Sequence, residues 1–131
     1  MDDAEKARKK NQLLDQTTAL NRKSAQCGYA IADLNQSRNA MGQFENEWRS
    51  IRNQHMGRDI VARIQLPQVF EGTVAQTFAQ DFPNYVRLMD QNGAEIQGII
   101  DQINRQIQKL EQFQGSLASQ VSKINLQIAA L

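Results

Sequence analysis

Residues 75–131 decide the fold, and they read AQTFAQDFPNYVRLMDQNGAEIQGIIDQINRQIQKLEQFQGSLASQVSKINLQIAAL. Apolar side chains recur through this stretch at alternating steps of four and three residues, interrupted only by Gly93 and Gln114. Residues at this spacing share one face of an α-helix, and an average step near 3.5 residues is typical of a coiled-coil seam. The C-terminal seam consists of Ala75, Ala79, Phe82, Val86, Met89, Gly93, Ile96, Ile100, Ile103, Ile107, Leu110, Gln114, Leu117, Val121, Ile124, Ile128 and Leu131.

A seam of this length needs a facing helix. From Gly93 to Leu131 alone, the helix would be about 58 Å long at about 1.5 Å per residue, too long to hide in a compact ball of this chain's size. The N-terminal half supplies a second ladder with rungs seven apart and weaker rungs between them. Its rungs are Leu13, Leu20, Cys27, Leu34, Met41, Trp48 and His55, with Thr17, Ser24, Ile31, Ser37, Phe44 and Ile51 between.

The two ladders predict an all-α fold, a long antiparallel helical hairpin of coiled-coil type, in a single domain of residues 1–131. The first helix is expected over residues 2–56, with Asp2 or Asp3 as its cap. An extension of this helix to residue 65 is left open, and residues 57–72 form the tip of the hairpin.

The second half is expected to begin with a short helix over residues 73–82, capped by Thr73. Pro83 then falls inside the apolar pattern. A proline in a helix interior removes one hydrogen bond and clashes with the previous turn. The sequence therefore predicts a break or kink before Pro83 and a long helix over residues 83–131. On the first helix, Gly28 and Gly42 are expected to let a neighbouring helix approach closely.

Charge and hydropathy restrict the classes of partner. The chain has 15 Lys and Arg against 14 Asp and Glu, a net charge of +1. No clustered basic footprint of the kind that binds nucleic acid is present. No run of eighteen apolar residues occurs, so stable membrane insertion is not expected. The pattern of a cleaved signal peptide is also missing, so we expect a cytoplasmic protein, and any secretion would use a route without such a signal.

Catalytic and metal chemistry has no sequence support. Cys27 is the only cysteine and His55 the only histidine, and both fall on the first ladder. A buried thiol behaves as a small hydrophobe, and proton transfer normally needs a second group to orient the first. Neither of the glycine-rich phosphate-binding patterns is present. We therefore expect no enzyme, no cofactor and no metal site.

A two-helix hairpin cannot enclose a core by itself, so the sequence predicts association through the apolar seam. The partner is either a second copy, giving a self-dimer, or another helical protein. The residues expected to bind it lie mainly on the C-terminal seam, with two aromatic residues from the first helix. They are Ile96, Ile100, Ile103, Ile107, Leu110, Leu117, Val121, Ile124, Ile128, Trp48 and Phe44.

A short motif lies at the turn between the helices. Residues 69–78 read VFEGTVAQTF, an aromatic-x-Gly-x-x-Ala-x-x-Phe pattern formed by Phe70, Gly72, Ala75 and Phe78. This pattern resembles the W-x-G turn of the WXG (Esx-like) family of type VII secretion, with Phe70 in place of the tryptophan. It is similar in particular to the small helical proteins encoded beside LXG toxins.

The resemblance implies a non-enzymatic targeting chaperone or secretion partner that binds the helical N-terminal domain of an LXG-type toxin. The alternative is a homo-oligomeric coiled-coil structural or scaffold protein. The seam favours both equally, because heptads indicate that helices pair and not with whom.

Overall fold

The structure is a computed structural model that describes the backbone of residues 2–55 and 72–131 and the side chains of residues 2–54 and 76–131. Two α-helices make up this part of the chain, α1 (Asp3–His55) and α2 (Gly72–Ala129), and no strand occurs among the described residues. The helices pack against each other, which confirms the predicted all-α helical hairpin.

The start of α1 is fixed by a reciprocal cap. The amide of Glu5 donates to Oδ1 of Asp2 at 2.8 Å, and the amide of Asp2 donates to Oε2 of Glu5 at 3.2 Å. This arrangement satisfies two amides that the first turn of a helix leaves without partners. Asp2 is therefore the cap. The end of α1 at His55 agrees with the predicted limit near 56, whereas the extension to 65 and tip residues 57–71 lie outside the described residues.

α2 runs without interruption through Pro83. The short helix predicted for residues 73–82 and the long helix predicted for residues 83–131 are therefore one helix, and Thr73 lies inside it. The proline still costs the carbonyl of Ala79 its usual amide partner. Packing around it holds the helical geometry, because Phe82 is only 6% exposed and stacks on Phe78 with ring centroids 5.3 Å apart.

The C-terminal seam is the inward face of α2. All its described positions, from Ala79 onward, are buried or half-buried, and Phe82, Ile96, Ile107 and Leu117 are the most enclosed. Elsewhere among the α2 side chains that the structure describes, only Phe78 and Asn104 are not exposed. The heptad spacing therefore predicted this face correctly.

The inward face of α1 departs from the prediction in its second half. The rungs from Leu13 to Trp48 are buried or half-buried, as are Thr17, Ser24 and Ile31 between them. Beyond these the predicted intermediate rungs are wrong. Ser37, Phe44 and Ile51 are exposed, and the half-buried positions are Arg38, Glu45 and Arg52. Helix geometry keeps the steps of four and three in order, so it brings these charged residues inward although an apolar residue precedes two of them.

Residue contacts divide the hairpin into two compact units. Unit 1 consists of Met1–Ser37 and Ile103–Leu131, and unit 2 consists of Arg38–Gln102. Each unit contains one part of α1 and one part of α2.

Candidate partner-binding surface

In unit 1, the polar interruption of the C-terminal seam forms a hydrogen bond between the helices. Nε2 of Gln114 donates to the backbone carbonyl of Ser24 at 3.0 Å. In a regular helix that carbonyl already accepts from the amide of Gly28, and a carbonyl has a second lone pair. A Cβ on Gly28 would lie 3.5 Å from Nε2 of Gln114, in van der Waals contact with it. A side chain at position 28 would therefore fit, and a Cβ at Gly42 would meet nothing within 4 Å, so the predicted close approach at these two glycines is wrong.

The remaining seam of unit 1 is satisfied and enclosed. The hydroxyl of Thr17 donates to the carbonyl of Leu13 in its own helix at 3.0 Å, so this polar rung needs no partner from α2. Leu13, Cys27 and Leu117 are 4%, 7% and 2% exposed. Cys27 thus packs as a small hydrophobe, as the sequence predicts.

In unit 2, the glycine of the C-terminal seam receives an indole. A Cβ on Gly93 would lie 2.8 Å from both Cζ2 and Cζ3 of Trp48 and closer still to Cη2. Real Cβ atoms essentially never approach other atoms this closely, so only glycine fits here without a shift of the ring. Nε1 of Trp48 is buried and has no hydrogen-bond acceptor among the described residues.

One edge of unit 2 is polar and paired. The guanidinium of Arg52 donates from Nε to Oδ1 of Asp90 at 2.9 Å and from a terminal nitrogen to Oδ2 at 3.4 Å. The hydrogen bond and the charge of Asp90 raise the pKa of Arg52 above its ordinary value. On α1 itself, Arg49 pairs with Glu45 at 3.2 Å. The charged groups named here on this side of unit 2 therefore pair with one another.

The opposite edge of unit 2 is apolar. Two of its residues on α1 and two on α2 come directly before an inward position, so in an antiparallel pair they flank the seam on the same side. A fifth lies one turn beyond Tyr85. Each is between 44% and 53% exposed. This surface, called the apolar edge, consists of Phe44, Ile51, Tyr85, Leu88 and Ile99.

The exposed large apolar side chains of unit 2 are concentrated on the apolar edge. It contains every large apolar side chain that is exposed in the described part of unit 2. The corresponding residues of unit 1 are Leu14, Tyr29, Phe113 and Leu126, which occupy three different heptad positions and form no common edge.

The structure distributes the predicted partner-binding residues over three environments. Ile96, Ile107 and Leu117 are buried within the hairpin. Phe44 is exposed and lies on the apolar edge. The others are half-buried, as is usual for a seam covered by a single facing helix, and they are Ile100, Ile103, Leu110, Val121, Ile124, Ile128 and Trp48.

Sequence reasoning missed Tyr85, Leu88 and Ile99 as surface residues. A signal for two of them was present, because Phe78, Tyr85, Ile99 and Phe113 are separated by seven or fourteen residues. Each lies directly before a position of the C-terminal seam. A second apolar ladder beside the first is typical of a helix that contacts more than one neighbour.

The turn motif is only partly described. Phe70 lies outside the described residues, as do the side chains of Ala75 and His55. Gly72 is the first residue of α2, and Phe78 is half-buried against Phe82. The described residues therefore do not bring the four motif positions together as a site.

In residues 2–54 and 76–131 no three side chains of His, Cys, Asp or Glu converge as metal ligands. Neither described helix contains a stretch apolar and long enough to cross a bilayer. Comparison with protein-family models, curated proteins and solved structures finds no match to this chain.

Proposed function

We propose that this chain is a non-enzymatic helper protein that binds the helical N-terminal domain of an LXG-type toxin and accompanies it to type VII export. The observation that carries the proposal is the apolar edge, which a two-helix hairpin leaves uncovered. The identity of the partner comes from the resemblance of the turn motif at Phe70, Gly72, Ala75 and Phe78 to the WXG-like turn. The role is that of a targeting chaperone, which covers apolar helical surface on its partner.

The use of polar side chains on the inward face supports a structural role. Gln114 hydrogen-bonds the backbone of Ser24, Thr17 bonds its own helix, and Arg52 is paired with Asp90. The bonds of Gln114 and Arg52 join the two helices, and the bond of Thr17 satisfies its hydroxyl within α1. Helix pairing therefore accounts for two of these groups and local helix geometry for the third.

Co-purification tests the proposal. The full chain is co-expressed with the N-terminal helical domain of an LXG-type toxin from the same genome and analysed by size exclusion with light scattering. We expect one peak whose mass equals that of a complex of both chains. An unrelated helical hairpin in place of this chain is the control and should elute apart from the toxin domain. Separate elution of this chain and the toxin domain at micromolar concentration would contradict the proposal.

The second candidate function is a homo-oligomeric coiled-coil structural or scaffold protein. The C-terminal seam favours it to the same degree, because heptads indicate that helices pair and not with whom. It predicts that the chain alone has two or four times the mass of 14.9 kDa in light scattering, and that this mass is unchanged when the toxin domain is added.

A further inference from the structure

Acidic side chains border the apolar edge of unit 2. Glu47 lies one turn after Phe44 on α1, and Glu95 lies one turn before Ile99 on α2. Asp81 stands in the same relation to Tyr85. All three carboxylates are exposed, and no ion pair joins any of them to another residue in the part of the chain that the structure describes.

The described arginines of unit 2 lie away from this border. Arg49 and Arg52 are paired with Glu45 and Asp90, and these pairs occupy the side of the seam opposite the apolar edge. Arg38 is half-buried at an inward position, and Arg87 directly follows the inward Val86, again on the opposite side. Among the described residues, the apolar edge is therefore bordered by negative charge alone.

We propose that the apolar edge binds an amphipathic helix of a partner protein whose apolar stripe is flanked by Lys and Arg. This inference rests on the proposed function, for which it specifies the chemistry of the partner. The five side chains present an apolar area on the order of 400 Å², a size that on monomers is often functional. Helices that lie in such grooves anchor through residues three and four apart, and opposite charges at the border fix their orientation.

A second copy of this chain fits the edge less well. A two-fold contact places the same surface on both sides, so the acidic border formed by Glu47, Glu95 and Asp81 would face the same acidic border of the second copy. Like charges opposed across an interface disfavour it. A helix with Lys and Arg at its flanking positions meets the same border with complementary charge, and Phe44 and Tyr85 supply the aromatic anchors typical of binding hot spots.

Two labelled synthetic peptides of roughly four heptads test the inference. Both have Leu at the inner positions, one has Lys at the flanks and the other has Glu there, and fluorescence anisotropy measures their binding to the full chain. We expect the Lys peptide to bind about tenfold more tightly than the Glu peptide, with a preference that shrinks as salt is added. Replacing Glu47 and Glu95 together by Lys should transfer the preference to the Glu peptide.

Variants of the apolar side chains locate the site. The double variant Phe44→Gln with Ile99→Gln should weaken binding of the Lys peptide by about tenfold or more. Tyr29→Gln is the matched control, because Tyr29 is 74% exposed in unit 1 and should leave binding unchanged. Circular dichroism should show the same helicity in all variants, since each changed side chain is exposed.

Equal binding of both peptides, or undiminished binding to the double variant, would overturn the inference. It is also overturned if the chain alone forms a dimer that the double variant dissociates while neither peptide binds, because the edge is then a self-interface. If the toxin domain binds the double variant as well as it binds the original chain, the inference about the apolar edge is overturned and the proposed function is supported. If the Lys peptide binds at the apolar edge but the toxin domain does not bind the chain, the inference is supported and the proposed function is overturned.

Discussion

The indole ring of Trp48 occupies the space that a side chain at Gly93 would fill. A large residue on α1 and the smallest residue on α2 thus form one complementary layer of unit 2. Gly93 interrupts the apolar series of the C-terminal seam, and the interruption has a packing reason that is visible only when both helices are present.

This layer predicts opposite outcomes for two neighbouring glycines. Gly93→Ala would bring a Cβ against the indole, whereas a Cβ at Gly98 meets nothing within 4 Å. Gly98→Ala should raise the free energy of unfolding by about 0.5–1 kcal/mol through helix propensity. Gly93→Ala should be less stable than Gly98→Ala by about 1–3 kcal/mol because of overpacking. Urea unfolding followed by circular dichroism measures both.

The control for this pair is the same comparison in a Trp48→Ala background. Without the indole, alanine at position 93 should gain as much stability as alanine at position 98. An equal effect of the two glycine replacements in the original chain would show that the ring does not lie on Gly93.

The bond from Gln114 to Ser24 predicts a pH-dependent effect. Gln114→Glu places a carboxylate, which cannot donate, beside a carbonyl oxygen. We expect the free energy of unfolding to fall by about 1–3 kcal/mol at pH 7. The loss should shrink as pH falls toward the ordinary glutamate pKa of about 4.3, because the protonated carboxyl can donate again.

Gln108→Glu is the control for this change, since Gln108 is exposed on the same helix. Its effect should be small, within about 0.5 kcal/mol. Comparable losses for the two variants, or a loss at position 114 that persists at low pH, would argue against the interhelical bond.

The uninterrupted α2 predicts that Pro83→Ala stabilises the protein. The replacement restores an amide that can donate to the carbonyl of Ala79 and removes the clash of the ring with the preceding turn. We expect a gain of about 1–3 kcal/mol in thermal unfolding, and slow hydrogen exchange at the new amide. Asn84→Ala, at the exposed neighbouring position, is the control. An unchanged stability together with fast exchange would mean that the helix is broken there.

The burial of Cys27 predicts a slow reaction with thiol reagents. Its side chain is 7% exposed, so the reagent has to wait for an opening of the hairpin. A Cys27→Ala variant that also carries Ser37→Cys places the thiol at an exposed position of the same helix. We expect the native Cys27 to react more slowly by at least about tenfold, and the two rates to converge in urea. Equal rates without urea would contradict the packing of unit 1.

The sequence predicted the inward face of α2 better than that of α1, although it predicted a break at Pro83 that α2 does not have. Along α2 the apolar residues and the heptad steps coincide, so the pattern and the inward face agree from Ala79 to Leu131. In the second half of α1 they diverge. Phe44 and Ile51 are apolar, yet the turn angle of the helix assigns the inward positions to Glu45 and Arg52. Helix geometry, and not residue type, therefore decides the inward face there.

The apolar edge could be predicted only in part. The spacing of Tyr85 and Ile99 is present in the sequence, but their place beside Phe44 depends on how α2 is aligned against α1. That alignment is set by contacts between distant residues, such as Arg52 with Asp90. The heptad pattern contains no information about this alignment or about the identity of an external partner.

A seam with a heptad repeat can pair in more than one register. Shifting one helix along the other by seven residues would again place aliphatic side chains opposite aliphatic side chains. In unit 1, a shift by seven residues would place Gln114 against Asn21 or Asn35 in place of Gly28, so a longer side chain would lie beside its amide.

In unit 2, the same shift would place the ring of Trp48 against the side chain of Val86 or Ile100, where Gly93 now leaves space for it. The two interruptions of the C-terminal seam, Gly93 and Gln114, thus favour a single alignment of the two helices. Variants with Leu or Ile at these positions should be more hydrophobic, but they should fold into a mixture of hairpins with shifted registers.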